Sequence, residues 1–524
     1  MPRVEMPSIP ARTVVLTDFG GVGDGVSLNT AAFADAIASL ERQGGGKLIV
    51  PAGIWRTGPI ELKSHIELNV VKDAVIVFDP DQDLYPVIDT NFEGLDVRRC
   101  LSPLNATGAH DIAITGGGKL VVPEGIWRTG PIELRSHIEL NVVKDAVIVF
   151  DPDQDLYPVI DTNFEGLDVR RCLSPLHATG AHDIAVTGGG IIDGSGEYWR
   201  EVKHRKVSDD QWKEILKRGG YIPEDGKTWF PDEGYAKARA TAGSLNYPDP
   251  SLDEQEIKTF LRPVMVSFRE CERVLLEDCT FQNSPCWNLH PLYCKDVIIK
   301  DITVRNPHYS ANGDGIDIDA CENVILTGSS FDVGDDAICI KSGKDADGRR
   351  HARKCRNLII SDCTVYHGHG GFVVGSEMSG GVENIRVTGC RFIGTDVGLR
   401  FKSARGRGGL VKDIWCDHIY MKDIVTYGVV FNLYYMGVAA TEMSKDGTPD
   451  IQPVDETTPE FRDFHFSDIL CSGAEQAVFI NGIPELPVRN ITFHDCNFTA
   501  GKGVECHNHE NVTFENVIVN GEKI

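Results

Sequence analysis

The feature that most restricts how this chain can fold is a near-verbatim tandem repeat. Residues 44–115 recur, directly afterwards, as residues 116–187. A second copy of half a globular domain would disrupt a closed hydrophobic core, whereas a solenoid accepts added turns because each turn packs only on its neighbours. The repeat therefore favours a solenoid, and its slight divergence indicates a recent or an engineered duplication. The differences are Ile49/Val121, Ala52/Glu124, Lys63/Arg135, Asn105/His177 and Ile114/Val186.

A second, weaker periodicity combines a polar pair with an alternating apolar run. It occurs at 182–186, 273–276, 295–299, 322–326, 356–360, 383–387, 412–414, 462–464, 489–493 and 510–514. Units of this length, with two or three short strands and no intervening helix, fit the coils of a parallel β-helix better than propeller blades or leucine-rich repeats. The tandem repeat then adds about three coils, or about 14 Å at the inter-strand spacing.

The sequence predicts one all-β domain over residues 1–524. An amphipathic helix is expected at 30–42, with Asn29 as its N-cap and the glycines at 44–46 as its stop. A polar excursion at 197–260, with a helix-like segment at 209–217, is a candidate wall or lid over a site. The predicted parts are the N-terminal lead-in and capping helix (1–46), the duplicated coils (44–115 and 116–187), the excursion (197–260), the catalytic coils (263–443) and the C-terminal loop and coils (444–524).

The net charge of the chain argues against two classes of partner. A formal net charge of −25 argues against binding to nucleic acid or to an anionic membrane. It would also repel a polyanionic sugar, so such a substrate needs a local basic pocket.

The 15 cysteines are scattered, and most, such as Cys279, Cys339, Cys390 and Cys416, are expected to be small buried hydrophobic residues. No basic and apolar leader is evident at the start, so we expect a cytoplasmic protein unless a leader was trimmed.

Four polar groups between Asn312 and Lys402 carry the chemistry, and each adjoins a short apolar run. If those runs are stacked strands, three carboxylates, one imidazole and two cations share one surface. This is the composition of an acid/base site for an anionic substrate. The groups are Asn312-Gly313-Asp314-Gly315, Gly334-Asp335-Asp336, Gly368-His369-Gly370 and Arg400-Phe401-Lys402.

The carboxylates suit cleavage of a glycosidic bond. The separation of Asp314 and Asp335 in sequence is close to one short coil, so their carboxyls are expected about 5 to 10 Å apart. One carboxyl must be protonated and another ionised, and crowding raises at least one pKa. Taken singly, these groups are ordinary turns. An aspartate cluster also suits calcium, but the neighbouring His369, Arg400 and Lys402 disfavour a metal, and none is predicted.

In this order and spacing, the four groups resemble the signature motifs of glycoside hydrolase family 28, the polygalacturonases. The resemblance runs from the turn-rich segment at 18–25 to the last coils, so it covers nearly the whole chain apart from the extra copy of the repeat. It implies a right-handed parallel β-helix. It also implies hydrolysis of α-1,4 galacturonosyl bonds with inversion and without a cofactor.

The resemblance implies a role for each residue of the catalytic group. Asp335 would be the general acid, and Asp314 and Asp336 would hold and deprotonate the attacking water. His369 would tune the acid through a hydrogen bond. The sequence departs from the family at Gly313, where polygalacturonases usually carry threonine.

Substrate-binding residues follow from the same resemblance. Arg400 and Lys402 would bind a galacturonate carboxylate, and Tyr435, or the adjacent Tyr434, would contact the sugar. His290 is a further candidate, with a buried structural histidine as the alternative.

Glu165 is also expected to reach the site. Copy two of the repeat directly precedes the catalytic coils, so we expect Glu165 to serve the site and its counterpart Glu93 not to.

Three segments, at 341–350, 376–381 and 405–409, resemble bacterial exo-acting members. Exo action needs a groove closed at one end, and the excursion at 197–260 is the candidate wall. The leading hypothesis is an inverting exo-polygalacturonase that acts on pectic oligo- or polysaccharides. The alternatives are a rhamnogalacturonan or xylogalacturonan hydrolase of the same fold, and a catalytically impaired carbohydrate-binding β-helix. The oligomeric state is not predicted.

Overall fold

The computed structural model describes residues 8–92, 95–106, 109–242, 248–435 and 451–524. Over these ranges the chain is all-β, with mostly parallel strand pairing and few helices. Its α-helices are Thr30–Arg42, Asp209–Leu216, Glu233–Ala242 and Asp345–His351, and its 3-10 helices are Leu16–Phe19, Gln82–Leu84, Gln154–Leu156, Gly196–Tyr198 and His204–Lys206. Among the described residues, no helix has the length and apolar character needed to cross a bilayer.

The strands are short through most of the chain and lengthen toward its end. Up to residue 193 they are Thr13–Val15, Gly46–Val50, Gly53–Thr57, Ile60–Glu61, Ile66–Val70, Ala74–Phe78, Val87–Phe92, Leu95–Cys100, Leu104–Asn105, Ala113–Gly116, Lys119–Val122, Gly125–Thr129, Ile132–Glu133, Glu139–Val142, Ala146–Phe150, Val159–Phe164, Leu167–Cys172, Leu176–Thr179, His182–Thr187 and Ile191–Asp193. From there to residue 341 they are Val202–Lys203, Thr228–Trp229, Val266–Arg269, Glu272–Glu277, Thr280–Gln282, Leu289–Leu292, Lys295–Lys300, Thr303–Arg305, Ile316–Asp319, Glu322–Thr327, Ser330–Asp332 and Asp336–Lys341. The remaining strands are Cys355–Ser361, Thr364–Tyr366, Gly370–Val374, Val382–Thr388, Arg391–Ile393, Val397–Lys402, Leu410–Lys422, Tyr427–Asn432, Glu460–Asn481, Val488–His494, Asn497–His507, His509–Glu515, Ile518–Val519 and Glu522–Lys523.

The described residues group into two compact units. One comprises the described parts of Met1–Pro152, Ala178–Asp193 and Cys271–Thr280. The other comprises those of Asp153–His177, Gly194–Glu270 and Phe281–Ile524, and it holds every candidate site residue named above except Glu93. The expectation of a single domain over 1–524 stays a prediction.

In the second unit, from Val266–Arg269 to Val382–Thr388, the strands pair in parallel, mostly with the strand three places further along the chain. Lys295 aligns with Glu322, Glu322 with Arg356, Arg356 with Glu383, and Glu383 with Lys412. Each of these residues opens one polar pair of the weaker periodicity, so successive pairs lie one coil apart, as the sequence predicted. The coil length was therefore readable from the sequence.

The second residue of the polar pair sits at a left-handed backbone position. Asp296, Asn323, Asn357 and Asn384 have φ between +56° and +60°, a region that asparagine and aspartate tolerate better than most residues. Their side chains form a ladder: the Nδ2 of Asn323, Asn357 and Asn384 each donate to the preceding member at 2.8, 3.1 and 2.8 Å. This ladder explains why the periodicity is marked by Asn and Asp.

The N-terminal helix was predicted correctly at 30–42, and its buried face includes Phe33, Ile37 and Leu40. Asn29 occupies the N-cap position but makes no side-chain cap bond. Its amide instead joins the preceding loop, accepting from Val22 N at 2.7 Å and donating to Ser27 O at 2.8 Å. The helix is therefore held through its lead-in loop.

One helix of the excursion was predicted, and two other helices were not. The helix-like segment expected at 209–217 is confirmed as the helix Asp209–Leu216, with a Ser208/Gln211 capping box. The excursion also holds a second helix, Glu233–Ala242, that the weak apolar periodicity of its sequence did not reveal. The coil between Glu322 and Arg356 was expected to lack a helix but contains Asp345–His351, because its extra length leaves the strand path as a helical turn.

The cysteine expectation is confirmed. None of the 15, all of which lie in the described ranges, forms a disulfide; Cys279, Cys339, Cys390 and Cys416 are among the many that are buried, while Cys100 is exposed.

Within the first unit, the two copies of the repeat form the same local pairings but pack differently. Gly53 aligns with Ala74 in copy one and Gly125 with Ala146 in copy two. In copy one, Leu48, Val50, Trp55 and Ile60 are at most 1% exposed. Their counterparts Leu120, Val122, Trp127 and Ile132 are only partly buried and line a cavity of about 270 Å³. We call this cavity the seam.

The two tryptophans show how the seam arises. Both indole nitrogens donate to a proline carbonyl on the preceding strand end, Trp55 to Pro51 at 2.6 Å and Trp127 to Pro123 at 2.7 Å. Trp55 also packs so closely on the turn-rich segment that a Cβ at Gly21 or Gly23 would meet its ring within 3.0 Å. Trp127 meets Tyr85 instead, with ring centroids 5.8 Å apart. The turn-rich segment is not part of the repeat and occurs once. It covers Trp55 of copy one, so Trp127 of copy two lacks this covering.

This difference predicts unequal costs of truncation. Trp55→Ala should lower the free energy of unfolding by about 3–5 kcal/mol, the usual loss for a buried aromatic residue. Trp127→Ala should cost clearly less, because much of its ring already faces a cavity. Urea unfolding followed by circular dichroism compares the two. Equal midpoint shifts would contradict the seam as described.

Candidate active site

The four motifs lie on one stack of parallel strands in the second unit. Ile316–Asp319, Asp336–Lys341, Gly370–Val374 and Val397–Lys402 pair in succession. Ile316 aligns with Ile338, so the position equivalent to Asp314 on the next coil is Asp336. The spacing of Asp314 and Asp335 is close to one coil, as expected, and one full coil after Asp314 lies Asp336. Asp335 lies on the turn just before the strand.

The three carboxylates converge. Asp314, Asp335 and Asp336 each offer an oxygen within 4.8 Å of the other two, somewhat closer than the range expected from coil spacing. Asp314 and Asp336 are 4% and 2% exposed, whereas a quarter of the Asp335 side chain is accessible. Asp335 is therefore the carboxylate that a ligand reaches first.

Asp335 is paired with His369. The imidazole Nδ1 lies 3.1 Å from Asp335 Oδ1, and the His369 backbone N–H donates to Asp335 O at 2.9 Å. Burial raises the pKa of Asp335, but the hydrogen bond and charge of His369 outweigh it and lower that pKa on balance. The same hydrogen bond raises the pKa of His369. Both shifts favour the imidazole over the carboxylate as the carrier of a proton shared by the pair.

Asp336 is paired with the two predicted cations. Lys402 Nζ donates to Asp336 Oδ2 at 2.6 Å and Arg400 Nη1 to Oδ1 at 3.4 Å. Burial raises the pKa of Asp336, yet Lys402 and Arg400 lower it on balance, so this carboxylate is ionised. Tyr435 lies against both cations, with Lys402 Nζ 4.8 Å and Arg400 Cζ 5.5 Å from its ring centroid. The sequence prediction did not foresee that the cations neutralise Asp336.

Asp314 has the opposite electrostatic environment. Burial, Asp317 and Asp335 raise its pKa well above the ordinary value, and its Oδ1 has no hydrogen-bond partner among the described residues. The raised pKa of Asp314 agrees with the prediction that crowding raises the pKa of at least one aspartate. Asp314 is the carboxyl of the three that is most readily protonated.

A buried charge network lies beneath Asp314, and sequence reasoning missed it. Lys341 Nζ donates to Glu377 Oε2 at 2.8 Å and lies 3.7 Å from Asp317 Oδ1. It also lies 4.9 Å from the centroid of the Trp287 ring. Burial raises the pKa of Glu377, but Lys341 and other cations outweigh it and keep the carboxylate ionised. Asp317 and Lys341 lie on strands, where charged residues alternate with apolar ones. That alternation was the only sign of the network in the sequence.

A basic cavity of about 480 Å³ opens onto Asp335 and His369. Its lining holds five cationic side chains against three carboxylates, and four of the cations come from the excursion and the fifth, Arg262, lies just after it. The excursion therefore lines the same cavity as Asp335 and His369, and the chain has the local basic pocket that we expected an anionic substrate to need. The cations are Lys203, Arg205, Lys206, Arg239 and Arg262, and the carboxylates are Glu201, Asp335 and Asp396.

Sequence reasoning missed these cations individually. The run Lys203-His204-Arg205-Lys206 in an acidic chain was the available signal. Arg262 is buried and braces the first motif, because it donates to Ala311 O and to Asn312 Oδ1, both at 2.7 Å.

Gly313 is fixed by a close approach. A Cβ on this residue would lie 1.9 Å from Ser310 Oγ and 2.8 Å from Ser310 Cβ. The Ser310 hydroxyl itself donates to Pro307 O at 2.7 Å. A threonine, which the family usually carries here, would collide with Ser310 and does not fit unless this loop moves. Ser310 therefore explains why this position is a glycine.

The remaining candidates have mixed outcomes. Glu165 reaches the first motif, since Asn312 Nδ2 lies 3.4 Å from its Oε1. Its counterpart Glu93 lies outside the described residues. His290 is 2% exposed and its Nε2 lies 3.4 Å from Asp319 Oδ2, which favours the structural alternative over direct contact with a sugar. Tyr434 lies near Arg405, with 5.7 Å from the guanidinium to the ring centroid.

The proton shared by Asp335 and His369 predicts a pH dependence. Activity that needs this proton should be present at acidic to neutral pH and be lost as pH rises through the His369 pKa, above its ordinary value of 6.5. In His369→Ala the proton must reside on Asp335, so the basic limb of the kcat profile should move to lower pH. An unchanged limb would show that the pair does not hold the working proton. Asp396→Asn, 3.8 Å from the other imidazole nitrogen, is the control and should shift the limb less.

Carboxyls whose pKa values are shifted in opposite directions, beside a cation-lined cavity, are the groups that acid/base hydrolysis of an anionic substrate requires. The model of glycosyl hydrolases family 28 matches residues 243–517, which is more than half of the chain. The chain therefore belongs to this family and is a glycoside hydrolase.

Three relatives illustrate the likeness. A probable polygalacturonase from Vitis vinifera is 26% identical over 93% of this chain and 75% of its own length. An exo-poly-alpha-D-galacturonosidase from Dickeya chrysanthemi is 23% identical over 90% of this chain, which spans 64% of the length of that relative. The crystal structure of a hyperthermoactive exopolygalacturonase from Thermotoga maritima is 28% identical, with a TM-score of 0.58, over 99% of this chain and 94% of that one.

Proposed function

We propose that this protein hydrolyses α-1,4 galacturonosyl bonds of polygalacturonate or oligogalacturonides, releasing sugar from one chain end with inversion. The observation that carries the proposal is the Asp335–His369 pair opening onto a cavity with five cations. A glycosidic bond needs the acid, and the carboxylates of a uronate chain need the cations. The two relatives described as exo-acting support action at a chain end. The proposed compartment stays the cytoplasm.

The proposed chemistry balances one proton on each side of the cut bond. The Asp335–His369 pair donates its proton to the leaving glycosidic oxygen as the bond to the anomeric carbon breaks. A water attacks that carbon and gives its proton to Asp336, which Lys402 and Arg400 keep ionised. Asp314, in its neutral form, holds the water by a hydrogen bond. A substrate carboxylate near Asp335 raises the pKa of that residue, which moves the proton from the imidazole toward the leaving group.

The fold proposed for this activity is a right-handed parallel β-helix that closes on itself turn by turn. The parallel pairing of every third strand supports it. On this fold the tandem repeat adds about three coils on the N-terminal side of the catalytic coils. The duplicated segment then lengthens the scaffold without adding a second copy of the four motifs, which occur once.

The exo mode is proposed from the excursion. Lys203, Arg205 and Lys206 lie on residues 197–260 and face the cavity that holds Asp335. A wall with this charge would stop an anionic chain at its end rather than let it pass through. It would also favour a terminal galacturonate, whose carboxylate finds a cation there.

The product pattern tests the function and the mode together. On galacturonate tetramer and on polygalacturonate we expect monomer as the early product, separated by anion-exchange chromatography, and the newly formed reducing end should have the inverted anomeric configuration by proton NMR. A mixture of short oligomers would replace the exo mode by an endo mode. Release of reducing sugar from rhamnogalacturonan or xylogalacturonan alone would favour those substrates, and no release from any pectic polymer would overturn the proposed function.

The identity of the acid is tested by changing the leaving group. Asp335→Asn should lower kcat on galacturonate oligomers by about 10²–10⁴-fold, the usual contribution of general acid catalysis. On an aryl galacturonide with an acidic phenol the loss should be much smaller, because that group departs without protonation. Asp314→Asn is the matched control and should lose activity on both substrates alike. If Asp314→Asn were instead the variant rescued by the good leaving group, Asp314 would be the acid.

A further inference from the structure

A cluster of metal-ligating side chains lies outside the hydrolytic site, in the first unit. His65, His110 and Asp111 each offer one ligand atom, and the three atoms lie within 4.8 Å of one another. His110 Nδ1 lies 2.8 Å and His65 Nδ1 3.4 Å from Asp111 Oδ2. The two imidazole rings meet edge to face with centroids 4.7 Å apart. We call this trio the first histidine cluster.

The same cluster occurs again at the equivalent positions of the second copy. His137, His182 and Asp183 also bring one ligand atom each within 4.8 Å. His182 Nδ1 lies 2.8 Å and His137 Nδ1 3.4 Å from Asp183 Oδ2. This trio, the second histidine cluster, is the copy of the first by sequence, so the chain offers the same arrangement twice.

We propose that the first histidine cluster binds a divalent transition metal ion of the zinc class. Two imidazole nitrogens and one carboxylate oxygen are ligands that Zn²⁺ prefers. Metal bonds of about 2.0–2.1 Å in a tetrahedral site place ligand atoms about 3.4 Å apart, so the observed separations need only small adjustments. A metal ion between the two imidazole nitrogens and the carboxylate oxygen would bind all three groups at once.

The groups around the first cluster are compatible with a metal. Asp111 Oδ1 accepts from the Ser8 backbone N–H at 2.9 Å, which orients the carboxylate and leaves Oδ2 toward the imidazoles. Ser8 O lies 2.9 Å from His65 Nδ1, and this hydrogen bond would have to open when His65 binds a metal through that nitrogen. Orientation of a ligating carboxylate by a second hydrogen bond is the usual support of a metal site.

The second cluster differs in its neighbour. Arg273 Nε donates to Asp183 Oδ1 at 2.6 Å and its Nη2 to Oδ2 at 2.9 Å. The guanidinium therefore occupies both oxygens of the carboxylate and places a positive charge beside the ligand atoms. A cation must displace it in order to bind, so the second cluster should bind Zn²⁺ more weakly than the first.

Zinc binding to the full chain tests the proposal. After treatment with EDTA and dialysis, titration with ZnCl₂ by isothermal calorimetry should show one tighter site per chain. His110→Ala, and the milder Asp111→Asn, should weaken that site about tenfold or more. His182→Ala is the matched control and should leave it unchanged, and Cys100→Ser should also leave it unchanged. Hydrolysis of polygalacturonate by each variant serves only as a check of folding.

A further variant tests the role of the arginine. Arg273→Ala should strengthen the weaker site and bring the two affinities together. The proposal is overturned if zinc does not bind at millimolar concentration, or if binding is the same in His110→Ala and in the unaltered chain. Equal affinity of the two sites in the unaltered chain would overturn the part assigned to Arg273.

Discussion

The register between neighbouring parallel strands is the constraint on which the catalytic unit depends. Side chains alternate between the two faces of a strand, so a slip by one residue would send every catalytic group to the opposite face. The Asn and Asp ladder fixes the register, since each member needs both a left-handed backbone and a partner one coil away. The alignment of Ile316 with Ile338 then brings Asp336, and not Asp335, level with Asp314. Asp335 is left on the turn, where the cavity opens.

Positive side chains are concentrated at the site although the chain as a whole is negative. The chain carries a net charge of −25, yet each ionised carboxylate at the site has a cation or an imidazole beside it: Asp335 has His369, Asp336 has Lys402, and Glu377 has Lys341. At Asp314 burial and the neighbouring carboxylates prevail, and its pKa is raised. The pKa of Asp314 is thereby shifted in the opposite direction from those of Asp335 and Asp336. This division comes from their neighbours alone, which is how a single residue type can provide both an acid and a base.

Much of this was open to prediction from the sequence, and the exceptions have physical causes. The helix at 30–42, the coil spacings and the four motifs depend on local periodicity and turn chemistry, which short windows record. The cations of the cavity come from an excursion whose path back to the site depends on tertiary packing. The partnership of Lys402 with Asp336 joins residues two coils apart, and the helix Asp345–His351 begins after a lysine that makes no side-chain cap. Neither the fold-back of a loop nor a buried ion pair leaves a pattern in sequence.

The seam has a consequence for how the chain assembles. The turn-rich segment covers Trp55 in the structure, but the surface around Trp127 has nearly the same sequence. Two almost identical surfaces therefore compete for one cap while the chain folds. If the turn-rich segment docked on the surface around Trp127, copy one would be left out as a long loop. The entropic cost of closing that loop would be modest, because this cost rises only slowly with loop length. The correct choice must come from the contacts that copy one makes with its own continuation, so the duplication turns the start of the chain into a kinetic branch point.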